Sequence, residues 1–196
     1  MTAPARPAVF LDRDGTLTEE RGYIDRLDLL AVFPWTADAL RLLRRAGFDL
    51  VVITNQSAVA RGIIDEPFLH EVHALLDRHL TPAGAAPDAY YYCPHHPEAP
   101  IDRYRVTCRC RKPGPGLIEQ ACRERHLDPA RSFMVGDRWI DAGAGHAAGC
   151  RSIRVLTGHG THEAAAPPGT HADAILNNLM EAAAWILHSS SGSSTR

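Results

Sequence analysis

The stretch Ala8-Val9-Phe10-Leu11-Asp12-Arg13-Asp14-Gly15-Thr16 decides the architecture of this chain. Its first four residues form a short apolar run with β-branched and aromatic members, which reads as a buried strand. The run stops at a string in which two carboxylates stand at i and i+2. On a chain leaving a strand such residues point to the same side, and Gly15 permits a sharp turn directly after them. Two acids this close repel unless a cation lies between them or one is protonated. Taken singly, they are also ordinary turn and cap residues.

Working outward, residues 50–53 and 133–135 repeat the apolar run and end at Thr54 and at Gly136-Asp137. Further strands are predicted at 89–92 and 152–156, with a weaker one near 172–175. Between them lie helical patterns. Residues 36–46 place Ala39, Leu40, Leu43 and Ala46 on one face and stop at Gly47, the expected residue after a helix C-terminus. Residues 66–80, 116–126 and 178–187 repeat the theme. This alternation predicts an α/β, three-layer sandwich with a central, mostly parallel sheet. Ligands of open α/β sheets bind beyond the carboxyl ends of the strands, so Asp12, Thr54 and Asp137 are expected to meet.

The chain has 196 residues, 45% hydrophobic and 22% charged, which predicts one domain over 1–188. The Ser/Gly-rich tail at 189–196 is expected to be disordered. A net charge of −2 supplies no global positive field for nucleic acid or an anionic membrane surface, so the expected partner is a small anion bound locally. No stretch reaches the length of a signal peptide or a bilayer span, and a cytoplasmic protein is expected. No apolar stripe is surplus to the core, which points to a monomer.

Three further motifs carry chemistry. Thr54-Asn55-Gln56-Ser57 follows a strand, where a hydroxyl and backbone N–H groups can hold phosphate oxygens. A Thr in that place is also a common cap. Arg111-Lys112-Pro113 offers a planar fork and a compact cation, or simply solvated surface. Asp137 leaves a strand and Asp141 falls one helical turn later on the same face, where it equally suits a helix N-terminus. Of the five cysteines, three cluster: Cys93-x-His95 and Cys108-x-Cys110 supply three thiolates and an imidazole, a set suited to a closed tetrahedral Zn²⁺ site. Free thiols or a disulfide are the alternatives, and His96 competes with His95 as the nitrogen ligand. Since Arg111 and Lys112 follow Cys110 directly, a metal there would also place both cations.

In this order, DRDGT, ITN, RKP and GDRWID resemble the four motifs of the haloacid dehalogenase (HAD) superfamily of phosphatases. The resemblance spans residues 9–156 and implies a Rossmann-like domain with Asp12 as nucleophile and Asp14 as general acid and base. It further implies that Thr54 and Lys112 hold the phosphoryl group, and that Mg²⁺ binds Asp12, Asp137 and the backbone carbonyl of Asp14. The stretches joining the motifs are short, so no cap domain is expected and loops should shape the site.

Within that superfamily, the absent cap and the zinc loop resemble two groups, the heptose-1,7-bisphosphate 7-phosphatases and the histidinol-phosphatases. The former is the nearer match, through Glu20-Arg21-Gly22-Tyr23, the segment from Thr54 to Gly62, and Cys93-Pro94-His95-His96-Pro97. By that likeness, substrate contacts fall on Glu20, Arg21, Gly22, Tyr23, Asn55, Gln56, Ser57 and Arg111, and the substrate is a small phosphorylated sugar. Ala58 and Arg138 depart from the group's usual Gly and Lys. A sugar phosphotransferase and a non-catalytic sugar-phosphate-binding module are the readings from other classes; the second would be expected to lack a carboxylate at 12 or 14, and both are present.

Overall fold

The computed structural model describes residues 4–191. One sheet runs through it in the order β3-β2-β1-β4-β5-β6, built from β1 (Ala8–Leu11), β2 (Asp49–Asn55), β3 (Ala89–Cys93), β4 (Phe133–Gly136), β5 (Arg151–Val155) and β6 (Ala174–Leu176). Every neighbouring pair is parallel, so the expected mostly parallel sheet is wholly so among the described residues. The helices are α1 (Thr36–Arg45), the single turn α2 (Ser57–Ala60), α3 (Glu66–Leu80), α4 (Gly116–Arg125), α5 (Trp139–Ala147) and α6 (Leu179–Ser191).

The period of two along each strand sorts side chains into the two faces. Val9 and Leu11 share a core with Ala39, Leu40 and Leu43 of α1, Val72 and Leu76 of α3, and Ala182, Ala183 and Ile186 of α6. Ala8 and Phe10 point the other way, into a core with Leu117, Ile118 and Ala121 of α4 and Ala144 of α5. Helices thus cover both faces, which is why β1 is an unbroken apolar run. Each large side chain buried there contributes roughly 1.5–3 kcal/mol.

Two of the boundaries that differ from the sequence reading bear on the site and on the domain end. β2 continues through Thr54 and Asn55, because β3 pairs with both (Thr54 with Tyr92, Asn55 with Cys93). α6 continues to Ser191, past the expected domain end at 188. The hydroxyls of Ser189 and Ser190 bond back to the Ile186 carbonyl at 3.1 and 2.7 Å, a local bond open to serine in a helix. Residues 192–196 of the expected tail lie outside the described residues.

From β1 the chain moves outward to β2 and β3, then returns to β4 on the other side of β1. This reversal makes the carboxyl ends of β1, β2 and β4 the switch point where a ligand crevice opens. α5 packs closely on β4 and β5. A Cβ on Gly145 would stand 2.3 Å from Ser152 Oγ and 2.6 Å from Met134 Cβ, so only glycine allows that approach. The close packing brings Asp141, in the first turn of α5, back against the end of β4, where a Cβ on Gly136 would collide with it.

Candidate active site

Asp12 continues the register of β1, its N–H donating to the Val135 carbonyl at 2.9 Å. Its carboxylate lies 2.7 Å from Lys112 Nζ, and Asp141 Oδ1 lies 2.6 Å from the same nitrogen. The ammonium also donates to the Ile53 carbonyl at 2.9 Å. Asp137 completes the group: carboxylate oxygens of Asp12, Asp137 and Asp141 lie within 4.8 Å of one another, all three residues buried. One Asp137 oxygen accepts the His159 N–H at 2.7 Å. The other is buried with no partner. Gly15, at φ +81°, leaves the room this carboxylate needs, since a Cβ there would come within 2.3 Å of it.

Three buried carboxylates beside one ammonium would carry two surplus negative charges if all were ionised. Burial, with Asp141 and Asp14 adding, pushes Asp12 up to about 7 despite the opposing pull of Lys112. Burial together with Asp12 and Asp141 pushes Asp137 up to about 8. Burial alone would lower Lys112, but Asp12 and Asp141 outweigh it and hold it above the ordinary lysine value. A buried all-oxygen donor set with surplus charge and an orphaned oxygen fits a hard divalent cation.

Asp14 faces the same cleft from a separate network. Arg13 Nε and a terminal nitrogen reach its two oxygens at 3.0 and 2.8 Å, and Gln56 Nε2 donates to it at 3.0 Å. The same amide nitrogen lies 2.8 Å from Thr54 Oγ1. Asn55 spends both amide atoms on the Lys112 backbone, accepting its N–H at 3.0 Å and donating to its carbonyl at 3.2 Å.

These groups open into a cleft of about 340 Å³. Of the residues predicted from sequence, Asp12, Asp14, Glu20, Gly22, Tyr23, Thr54, Asn55, Gln56, Ser57, Arg111, Lys112 and Asp137 line it. Arg21 does not: its guanidinium turns to Glu19 at 2.7–2.9 Å on the exposed side. The loop after β1 therefore presents Glu20 inward, where its carboxylate accepts the Gly22 N–H at 2.7 Å, and Arg21 outward. Arg13, Arg138, Ile140 and His159 line the cleft as well. Asp141 carried a signal, its four-residue spacing from Asp137. Arg13 and His159 carried none, because strand alternation aims Arg13 away from its neighbours and His159 comes from a distant loop.

Cys93, His95, Cys108 and Cys110 converge as the spacing predicted, each offering an atom within 4.8 Å of the others. Sulfur–sulfur separations are 3.5, 3.3 and 2.8 Å, and His95 Nδ1 lies 3.8 Å from Cys93 and 3.4 Å from Cys110. A tetrahedral zinc site has edges of about 3.5–3.8 Å; four of these five separations are close to that, and the Cys108–Cys110 one is shorter. Burial pushes the Cys93 thiol up, with Cys110 adding to it, and a cation among the three sulfurs would favour their ionised forms. His96 stands apart, its Nδ1 accepting the Glu98 N–H at 3.1 Å. Arg111 donates to the carbonyl of His95 at 3.1 Å, which joins this cluster to the cleft.

A wholly parallel α/β sheet whose switch point gathers an aspartate pair, a lysine and a second aspartate cluster defines a HAD-like hydrolase. The family model described as "HAD-hyrolase-like" matches residues 109–182. The D-glycero-beta-D-manno-heptose-1,7-bisphosphate 7-phosphatase of Salmonella typhi is 39% identical over 180 residues, 91% of this chain and 94% of the relative. That of Escherichia coli K12 is 40% identical over 181 residues, 91% of this chain and 93% of the relative. Among solved structures, the D,D-heptose 1,7-bisphosphate phosphatase of B. bronchiseptica, complexed with magnesium and phosphate, superposes with a TM-score of 0.81 at 31% identity, covering 93% of this chain and 99% of that one. The chain belongs to this family of phosphatases.

Proposed function

We propose that this chain is a magnesium-dependent phosphomonoesterase that removes the 7-phosphate of D-glycero-β-D-manno-heptose 1,7-bisphosphate. The observation that carries the reading is the group of three buried aspartates, two of them paired with Lys112, at a cleft rimmed by Arg111. The substrate rests on the printed names of the relatives.

Mg²⁺ would be held by Asp12, Asp137 and the backbone carbonyl of Asp14, with Asp141 beside them. When bound, it would neutralise the surplus charge and polarise the phosphoryl group. The rest falls to the chain's own side chains. The Asp12 carboxylate attacks phosphorus, and the bond to the sugar O7 breaks with its electron pair on oxygen. Asp14 delivers a proton to that oxygen. Then, as a carboxylate, it takes a proton from the water that attacks the aspartyl phosphate, releasing phosphate and restoring Asp12. Lys112 and the Thr54 hydroxyl stabilise charge on the phosphoryl oxygens. Glu20, Gly22, Tyr23 and Ser57 line the sugar's path, and Arg111 offers a planar fork to the retained 1-phosphate. The Cys93, His95, Cys108 and Cys110 set would hold a structural Zn²⁺. The enzyme would act as a cytoplasmic monomer.

The test compares phosphate release from the heptose bisphosphate and from histidinol phosphate at saturating Mg²⁺. A higher kcat/KM for the bisphosphate, with the 1-phosphate retained, is expected, and Asp12→Asn should abolish turnover. Arg111→Ala should lower kcat/KM for the bisphosphate more than for an aryl phosphate. Faster hydrolysis of histidinol phosphate would overturn the substrate, and phosphate appearing on an added sugar would reveal transfer.

A further inference from the structure

We infer that Arg13 is a positioning residue for the acid–base and phosphoryl-binding groups, acting through a directional hydrogen-bond relay. Arg13 is 2% exposed and among the largest fully buried side chains of the protein. Burying a guanidinium is costly unless it is paired. Its carboxylate partner here is Asp14, and it holds it by a two-point fork at 2.8–3.0 Å. His73, buried and stacked on Tyr90, is kept neutral by its burial and by the charge of Arg13. The guanidinium's one ion pair is with Asp14, in the cleft.

The relay follows from donor and acceptor identities. A guanidinium only donates, so the Gln56 atom it meets at 3.1 Å must be the carbonyl Oε1. That choice turns the amide nitrogen of Gln56 toward Asp14 and Thr54, its two acceptors at 3.0 and 2.8 Å. Thr54 Oγ1 accepts from Gln56, so its own proton stays available for a phosphoryl oxygen. Arg13 therefore sets both the carboxylate pose of Asp14 and the donor direction of Thr54. Neither contact is visible from the strand pattern, which aims Arg13 at the interior.

The inference rests on Asp14 being the acid and base, and the experiment separates the two. Arg13→Met, Arg13→Lys, Gln56→Leu and Asp14→Asn are compared on an alkyl phosphate, whose leaving group needs a proton, and on p-nitrophenyl phosphate, whose leaving group does not. Zinc content and circular dichroism serve as folding controls. For Arg13→Met and Arg13→Lys, kcat on the alkyl phosphate should fall about 10²-fold, the lower end of general acid–base effects. KM should change by less than about threefold, and the rapid first release of p-nitrophenol should persist. Lysine fails because it lacks the fork. Gln56→Leu, which strands no buried charge, should show the same pattern in weaker form and decides the matter if the Arg13 variants do not fold. Wild-type kcat in the folded variants, or loss of the rapid first release of p-nitrophenol, overturns the relay. If Asp14→Asn is itself active, the acid–base assignment fails and the relay falls with it; if only Asp14→Asn is impaired, the relay alone fails.

Discussion

Asp12 and Asp137 are ordinary acids in an extraordinary setting. Both start from 3.8; burial, with Asp141 and Asp14 adding, raises Asp12 to about 7, and burial, with Asp12 and Asp141 adding, raises Asp137 to about 8. The folded, magnesium-free protein therefore retains protons that the unfolded chain releases above about pH 4. Their contribution to stability is full below that pH and is lost as pH rises through 7 to 8. Urea unfolding in magnesium-free buffer should accordingly show lower stability at pH 8 than at pH 6. Added Mg²⁺ should restore more at pH 8, with protons released on binding. Asp137→Asn, which removes one uncompensated charge, should stabilise the magnesium-free protein at pH 8 by on the order of 1–3 kcal/mol while weakening Mg²⁺ binding. A magnesium-free protein that grows more stable between pH 6 and 8, with Asp137→Asn neutral, would contradict this electrostatic picture.

At the scale of elements, the segment between β3 and α4 is the part that sequence reasoning understood only halfway. A metal pinning a polar loop was expected to place both Arg111 and Lys112. Yet Lys112 is held independently, by Asn55 at the end of β2 through two backbone bonds. Arg111 is tied to the His95 carbonyl, directly at the cysteine–histidine cluster. The loop is also anchored elsewhere: Glu66 of α3 accepts the hydroxyls of Tyr92 and Tyr104 at 2.6 and 2.7 Å. Cys108→Ser should thus release zinc without unfolding the sheet. The loss in kcat/KM should be about 10–100-fold, expressed mainly as a raised KM for the bisphosphate because Arg111 is displaced while Lys112 stays. Zinc analysis beside steady-state kinetics checks this; a pure kcat effect would show that Lys112 depends on the metal after all.

For the molecule as a whole, the large exposed apolar side chains are dispersed. Tyr23, Leu42, Ile63, Val106 and Ile175 sit on separate segments. Scattered residues of this kind are normal on a monomer, whereas a stable interface needs a contiguous patch. Light scattering coupled to gel filtration should report one species near 21.4 kDa at every loading concentration; a mass that doubles would disprove it. No described helix is long and apolar enough to cross a membrane.

Several features were determined by the sequence alone, for local physical reasons. Apolar runs ending at Asp12, Thr54 and Asp137, separated by amphipathic helices, have one good burial scheme: a sheet covered on both faces, with those residues at one edge. Cys93, His95, Cys108 and Cys110 announced their cluster by type and spacing. Only the tertiary structure decided the partners. Gly145 lets α5 press onto β4 and β5, and that approach converts Asp141 from a helix-start residue into the second acid on Lys112. The β3 pairing draws Thr54 and Asn55 into β2, leaving Asn55 to clamp Lys112. Arg21 turned outward and Arg13 curled back to Asp14 because a long side chain takes its direction from the nearest available charge. Backbone periodicity records where a Cβ points but not where a guanidinium ends.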